Sequence, residues 1–160
     1  MTARPGNSKF VKKLNRMTVL NVIKNHEPIS RHQLAEKTGL TPPAITGIVR
    51  ELLESGFVKE VGLGQSEGGR RPMKLKFNCR AGYVIGLEAT SSEAVLSVAD
   101  LKNSPETVAI EELTMKNTAE GISSMAAIIK KVIESNRDMR FLGVGIAFPG
   151  LLNVKSGTVR

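Results

Sequence analysis

The sequence has no tryptophan, one tyrosine, one cysteine and no run of eighteen apolar residues. Each shortage excludes something. Cys79 has no second cysteine with which to close a disulfide or build a metal site, and is expected to be a reduced, inert thiol. Without a long apolar stretch there is no candidate membrane-spanning helix, and the opening MTARPGNSKFVKK lacks the apolar segment that follows the basic region of a signal peptide. A soluble cytoplasmic protein with no membrane partner is expected. His26 and His32 stand six apart with no carboxylate or cysteine at ligand spacing, so no metal is expected. No Ser-His-Asp or Cys-His set assembles from neighbouring residues, and neither a catalytic residue nor a cofactor is assigned. Internal repeats and low-complexity tracts are absent too.

What is present is enough apolar sequence, 41% of 160 residues, for one ordinary core or two small ones. The charge is unevenly placed. Residues 1–80 hold 15 Lys and Arg against 6 Asp and Glu, whereas residues 81–160 hold 8 against 9. A basic half joined to a near-neutral one points to a polyanion meeting the first half. By charge alone that polyanion is DNA, RNA or an anionic membrane, and the helix pattern decides among them.

After a polar arm over residues 1–8, Phe10, Leu14, Met17, Leu20 and Ile23 recur every three or four positions, predicting a first helix from Lys9 to Asn25 with these residues on one face. Glu27 and Pro28 break it. Ser30 and Gln33 form a capping box that starts a second helix at Arg31, with Ile29 placed to staple onto Leu34, and Gly39 suits the left-handed residue after it. Thr41 caps a third helix with Pro42 at its first position, ending near Glu54. Phe57–Val61 reads as a strand, Gly62–Gly69 as a turn, and Met73, Leu75 and Phe77 alternate with lysines as a half-buried strand does. Three helices, then strand, glycine-rich loop and strand, make a winged helix-turn-helix over residues 1–80.

The order changes after Asn78. Strands are predicted at Tyr83–Leu87, Ala94–Leu101 and Thr107–Met115, a helix at Ala119–Ser135, and a nearly continuous apolar strand at Phe141–Phe148. The chain is thus α+β: the winged helix is followed, over residues 81–160, by an incomplete α/β domain of βββαβ order.

Ile45, Ile48, Val49 and Leu52 fall on one face of the third helix and are expected to meet the core. The opposite face carries Pro43, Thr46, Gly47 and Arg50, with Thr41 and Pro42 at the amino-terminal tip. A helix-turn-helix lays that tip and face in the major groove of double-stranded DNA, where small residues let the backbone approach and Arg50 can reach a guanine or a phosphate. Arg31 and His32 flank it at the start of the second helix. Gly69, Arg70 and Arg71 would enter a minor groove or track phosphates at the wing tip. Lys12, Lys13 and Arg16 on the first helix either add phosphate contacts or form a solvated face.

The stretch HQLAEKTGLTPPAITGIVRELLESGFV followed by EGGRRPMKLKFN resembles the DNA-binding module of ROK-family transcriptional repressors. YVIGLEAT and FLGVGIAFPGLLNVKSGTVR resemble the first strand and the Pro-Gly segment of that family's actin-like, sugar-kinase-like domain. The resemblance implies a dimer or other homo-oligomer on DNA, repressing carbohydrate-utilisation genes until a sugar or sugar-phosphate effector binds. ROK kinases carry an Asp-x-Gly-Gly-Thr loop after the first strand, but Glu88, Ala89, Thr90, Ser91 and Ser92 stand there, without glycines to cradle a phosphate. The family's sugar-contacting residues, catalytic aspartate and zinc motif would fall beyond Arg160, so no sugar-binding residue is assigned. The rival readings are a sugar kinase and a nucleic-acid-binding protein without a small-molecule input.

Overall fold

The structure, a computed structural model, describes residues 8–63, 71–90, 92–113, 118–148, 150, 152–153, 156 and 158–159. The chain divides into two compact units, Met1–Asn78 and Cys79–Arg160, so the division falls two residues before the expected boundary at 80.

The first unit runs α1 (Ser8–His26), β1 (Ile29–Ser30), α2 (Arg31–Thr38), α3 (Pro42–Glu54), β2 (Val58–Leu63) and β3 (Met73–Phe77). It is a winged helix. The strands form one antiparallel sheet of order β1-β3-β2, in which Ile29 is opposite Leu75 and Val58 opposite Phe77. Val19, Ile23, Leu34, Ile45, Val49, Leu52 and Leu75 are fully buried between helices and sheet. Burying each such side chain is worth about 1.5–3 kcal/mol, which sets the helices against the sheet.

The capping box forms: the Ser30 hydroxyl accepts from the Gln33 backbone N–H at 3.3 Å, and the Ser30 N–H donates to Gln33 Oε1 at 3.0 Å. Gly39 ends α2 at φ 69°, a conformation a Cβ would disfavour. Thr41 starts α3 through its carbonyl, which accepts from the Ile45 N–H at 3.0 Å, but its side chain makes no capping hydrogen bond. Pro43, at the second helical position, removes one of the two amide donors that such a cap accepts from.

Two expectations need correction here. Phe10, Leu14 and Met17 are not on the buried face of α1: they are 63%, 53% and 53% exposed, while Val19 and Ile23 are the buried pair. Thirteen residues at about 100° each carry Phe10 roughly 220° around the helix from Ile23, so the repeated steps of three and four wind onto the far side. The sheet also has a third strand, the two-residue β1, which the sequence pattern did not announce.

The second unit has β4 (Tyr83–Ala89), β5 (Glu93–Asp100), β6 (Pro105–Glu112), α4 (Thr118–Ser135) and β7 (Phe141–Ala147), then a short antiparallel pair, β8 (Leu152–Asn153) and β9 (Thr158–Val159). The sheet order is β6-β5-β4-β7, with β4 and β7 parallel, and α4 carries the chain from β6 at one edge to β7 at the other. Ile85, Leu87, Leu96, Val98, Leu113, Met125 and Val132 cluster on one side of it. This is the expected βββαβ order. The apolar β7 nevertheless lies at the sheet's edge among the described residues, with Val144 and Ile146 about half exposed. The β8–β9 pair was not anticipated.

Candidate nucleic-acid interface

Helix α3 buries Ile45, Ile48, Val49 and Leu52 and turns Thr41, Pro42, Pro43, Thr46 and Arg50 to solvent, with Gly47 half-buried beside them. A Cβ at Gly47 would meet nothing within 4 Å, so packing inside the unit does not demand glycine there. The notch it leaves is open to a ligand's approach. Thr46 Oγ1 donates to the Pro42 carbonyl at 2.9 Å, which pins the side chain; its oxygen lone pairs remain to accept and its methyl to touch an apolar group. Arg50 is 75% exposed, and its Nε lies 4.0 Å from Glu54 Oε1, one turn along. So exposed and long a pair holds the guanidinium weakly.

The residues at the start of α2 are more firmly held. Arg31 Nη2 donates to Glu60 Oε1 of β2 at 3.0 Å, both side chains being about two-thirds covered. Gln33, already in the capping box, accepts through Oε1 from Lys74 Nζ of β3 at 2.9 Å. The amino terminus of α2 is therefore tied to both wing strands. His32 is exposed, with Nε2 3.4 Å from Glu36 Oε1, a carboxylate at helical spacing that the sequence reading passed over. Among the described residues no group of three or more His, Cys, Asp or Glu could hold a metal ion.

Arg71 is exposed just before β3. Gly69 and Arg70 lie outside the described residues. On α1, Lys12 Nζ pairs with Glu51 Oε1 of α3 at 2.6 Å and Arg16 Nη2 donates to Ser55 Oγ at 3.1 Å, so these two brace α1 against α3. The Lys12 ammonium, hydrogen-bonded to Glu51, holds that carboxyl below its ordinary value; desolvation opposes the shift, and Arg16 and Arg50 add to it.

Sequence reasoning missed three basic residues of the wing sheet, Lys59, Lys74 and Lys76. The signal was in the alternation of β3, which puts a lysine at each position between Met73, Leu75 and Phe77.

Residues 13–60 match the MarR family. The chain is 31% identical over 161 aligned positions to the DNA-binding transcriptional dual regulator NagC of Escherichia coli K12, an alignment covering 98% of this chain and 39% of that protein. It is 47% identical to the xylose repressor of Bacillus spizizenii over 79 residues, which cover 49% of this chain and 21% of the repressor. A solved ROK family transcriptional regulator, a homolog of the E. coli MLC protein, has the same fold, with a TM-score of 0.72 and 21% identity over 93% of this chain and 38% of that one. The chain thus spans well under half the length of these relatives.

Proposed function

From the similarity to NagC and to a xylose repressor, and the fold shared with a solved ROK family transcriptional regulator, we infer a DNA-binding transcriptional regulator that represses carbohydrate-utilisation genes and is relieved by a sugar or sugar-phosphate. The observation that carries the reading is the outer face of α3. It offers a pinned threonine, a glycine notch and a loosely held arginine to solvent, on a unit with a large excess of positive charge. These are the side chains a major groove accepts. Thr41, Pro42, Pro43, Thr46, Gly47 and Arg50 read bases in this proposal. Arg31, His32 and the wing residues Gly69, Arg70 and Arg71 hold phosphates or enter the minor groove.

A second copy of the chain is the proposed partner, on a site of two related halves spaced by about one helical turn or a multiple of it, because a single winged helix reads only a few base pairs. The second unit, residues 79–160, contributes to the effector domain. Its β4–β5 turn has neither glycine of a kinase phosphate loop, which favours a regulator over a sugar kinase.

Selection of a random duplex library on the chain tests this. Enrichment of a two-fold related motif, with binding that falls on the order of a hundredfold or more between ~50 and ~200 mM salt, is the expected result for about five neutralised phosphates. Recovery of no common motif, or a flat salt dependence, would refute it. Release by one of a panel of sugars and sugar-phosphates tests the effector.

A further inference from the structure

We propose that the outer face of the wing sheet, where Lys59 of β2 stands opposite Lys76 of β3, is a further phosphate-contacting surface for duplex DNA, separate from the recognition helix and the wing tip. This rests on the DNA-binding reading and extends it to residues that reading leaves unassigned.

The two lysines are register partners in the antiparallel β2–β3 ladder, and both are exposed. Val58, Leu75 and Phe77 point into the core, so the strand's two-residue period places Lys59, Lys74 and Lys76 together on the opposite face. Like charges directly opposite on a sheet destabilise it. Among the described residues neither Lys59 nor Lys76 has a carboxylate partner within ion-pair distance. Glu60, next to Lys59 in sequence, is held by Arg31. Lys74 is bound by the neutral carboxamide of Gln33, which orients its ammonium without discharging it.

Lys12, Arg31 and Arg50 each stand against a glutamate, whereas Lys59 and Lys76 stand against each other across the ladder. A face that gathers repelling ammonium groups without a counter-charge is stabilised when an anion supplies one. Its shape selects the kind of anion. A pleated sheet has no walls to enclose a small ion, whereas Lys74 and Lys76 lie about 7 Å apart along one strand and Lys59 extends the row across the ladder, a spread that an extended chain of phosphates meets with successive charges.

The test compares the 160-residue chain with its Lys59→Gln/Lys76→Gln variant, measuring anisotropy of a labelled random-sequence duplex of about thirty base pairs over a range of salt. The expected result is weaker binding and a plot of log affinity against log salt that is shallower by about two, since each phosphate contact contributes about 0.9 to the slope. Lys59→Arg/Lys76→Arg should restore the slope. Lys130→Gln/Lys131→Gln, which removes equal charge from α4, should leave it unchanged. Thermal melting of the glutamine variant should match or exceed that of the parent, because a repulsion has been removed. An unchanged slope in the Lys59→Gln/Lys76→Gln variant, with the parent binding normally, overturns this proposal alone and leaves the face to an acidic protein partner. A parent chain that binds no duplex at any salt overturns the DNA-binding reading itself.

Discussion

Arg31 at the first turn of α2 and Glu60 in the wing strand β2 hold each other at 3.0 Å, twenty-nine residues apart in sequence. The pair ties the arginine to the wing strand through one guanidinium nitrogen, and in the proposed DNA-binding reading the carboxylate competes with a phosphate for it. Removing that carboxylate while keeping its shape should release the arginine. Glu60→Gln is expected to raise affinity for duplex DNA severalfold at moderate salt, read by anisotropy. Stability should change little, since a partly exposed pair contributes about 0–1 kcal/mol. Equal or weaker binding would mean that Arg31 serves the fold rather than the DNA.

The outer face of α3 and the wing should fail in different ways. Thr46→Ala or Arg50→Ala is expected to change which sequences are preferred, with about 1–3 kcal/mol lost at each specifically contacted base. Arg71→Ala should weaken all sequences alike if it holds a phosphate, and A·T-rich flanks selectively if it enters a minor groove. Selection from a random duplex library distinguishes these results. Unchanged preference and affinity in all three variants, with circular dichroism intact, would place the interface elsewhere.

Gln33 both closes the capping box of α2 and anchors Lys74. Gln33→Ala keeps the Ser30 cap but loses the reciprocal bond to the Ser30 N–H and the Lys74 contact, so it should lower stability by about 0.5–1.5 kcal/mol, measured by urea unfolding of the chain. Gln33→Glu keeps the box and converts the Lys74 contact to an ion pair, so it should hold stability near the parent's. Equal loss in both variants would show that neither the box nor the Lys74 contact carries the effect, since glutamate keeps both.

Glu51 links stability to pH with a definite sign. Its carboxyl is held below the ordinary value of 4.5, chiefly by the Lys12 hydrogen bond. A depressed folded-state value means that its contribution is fully present above the ordinary value and is lost as the pH falls through the lower, folded one. Thermal melts from about pH 6 down to about pH 3 should fall less steeply for Glu51→Gln than for the parent. The difference will be small, because the pair is solvent-exposed. A steeper fall in the variant would contradict the sign.

What the sequence determined by itself about this protein was whatever rests on atoms a few residues apart. Ser30 and Gln33 cap α2 within one turn, Gly39 ends it with a backbone conformation of its own, and the alternation of Met73, Leu75 and Phe77 describes a half-buried strand whatever it pairs with. The outer face of α3 was legible for the same reason, since the stripe Ile45, Ile48, Val49 and Leu52 leaves one side for solvent. Periodicity, however, counts spacing and is silent on partners. Only the tertiary structure decided that Phe10 and Leu14 face outward, because the rest of the unit meets α1 along Val19 and Ile23. It alone made a strand of Ile29–Ser30, which exists because β3 arrives some forty-five residues later. And it chose which charges are discharged: Arg31 by Glu60 and Lys12 by Glu51, while Lys59 and Lys76 face each other across the wing. Those pairings depend on where distant segments of chain are brought by the burial of the core, and no local pattern encodes them.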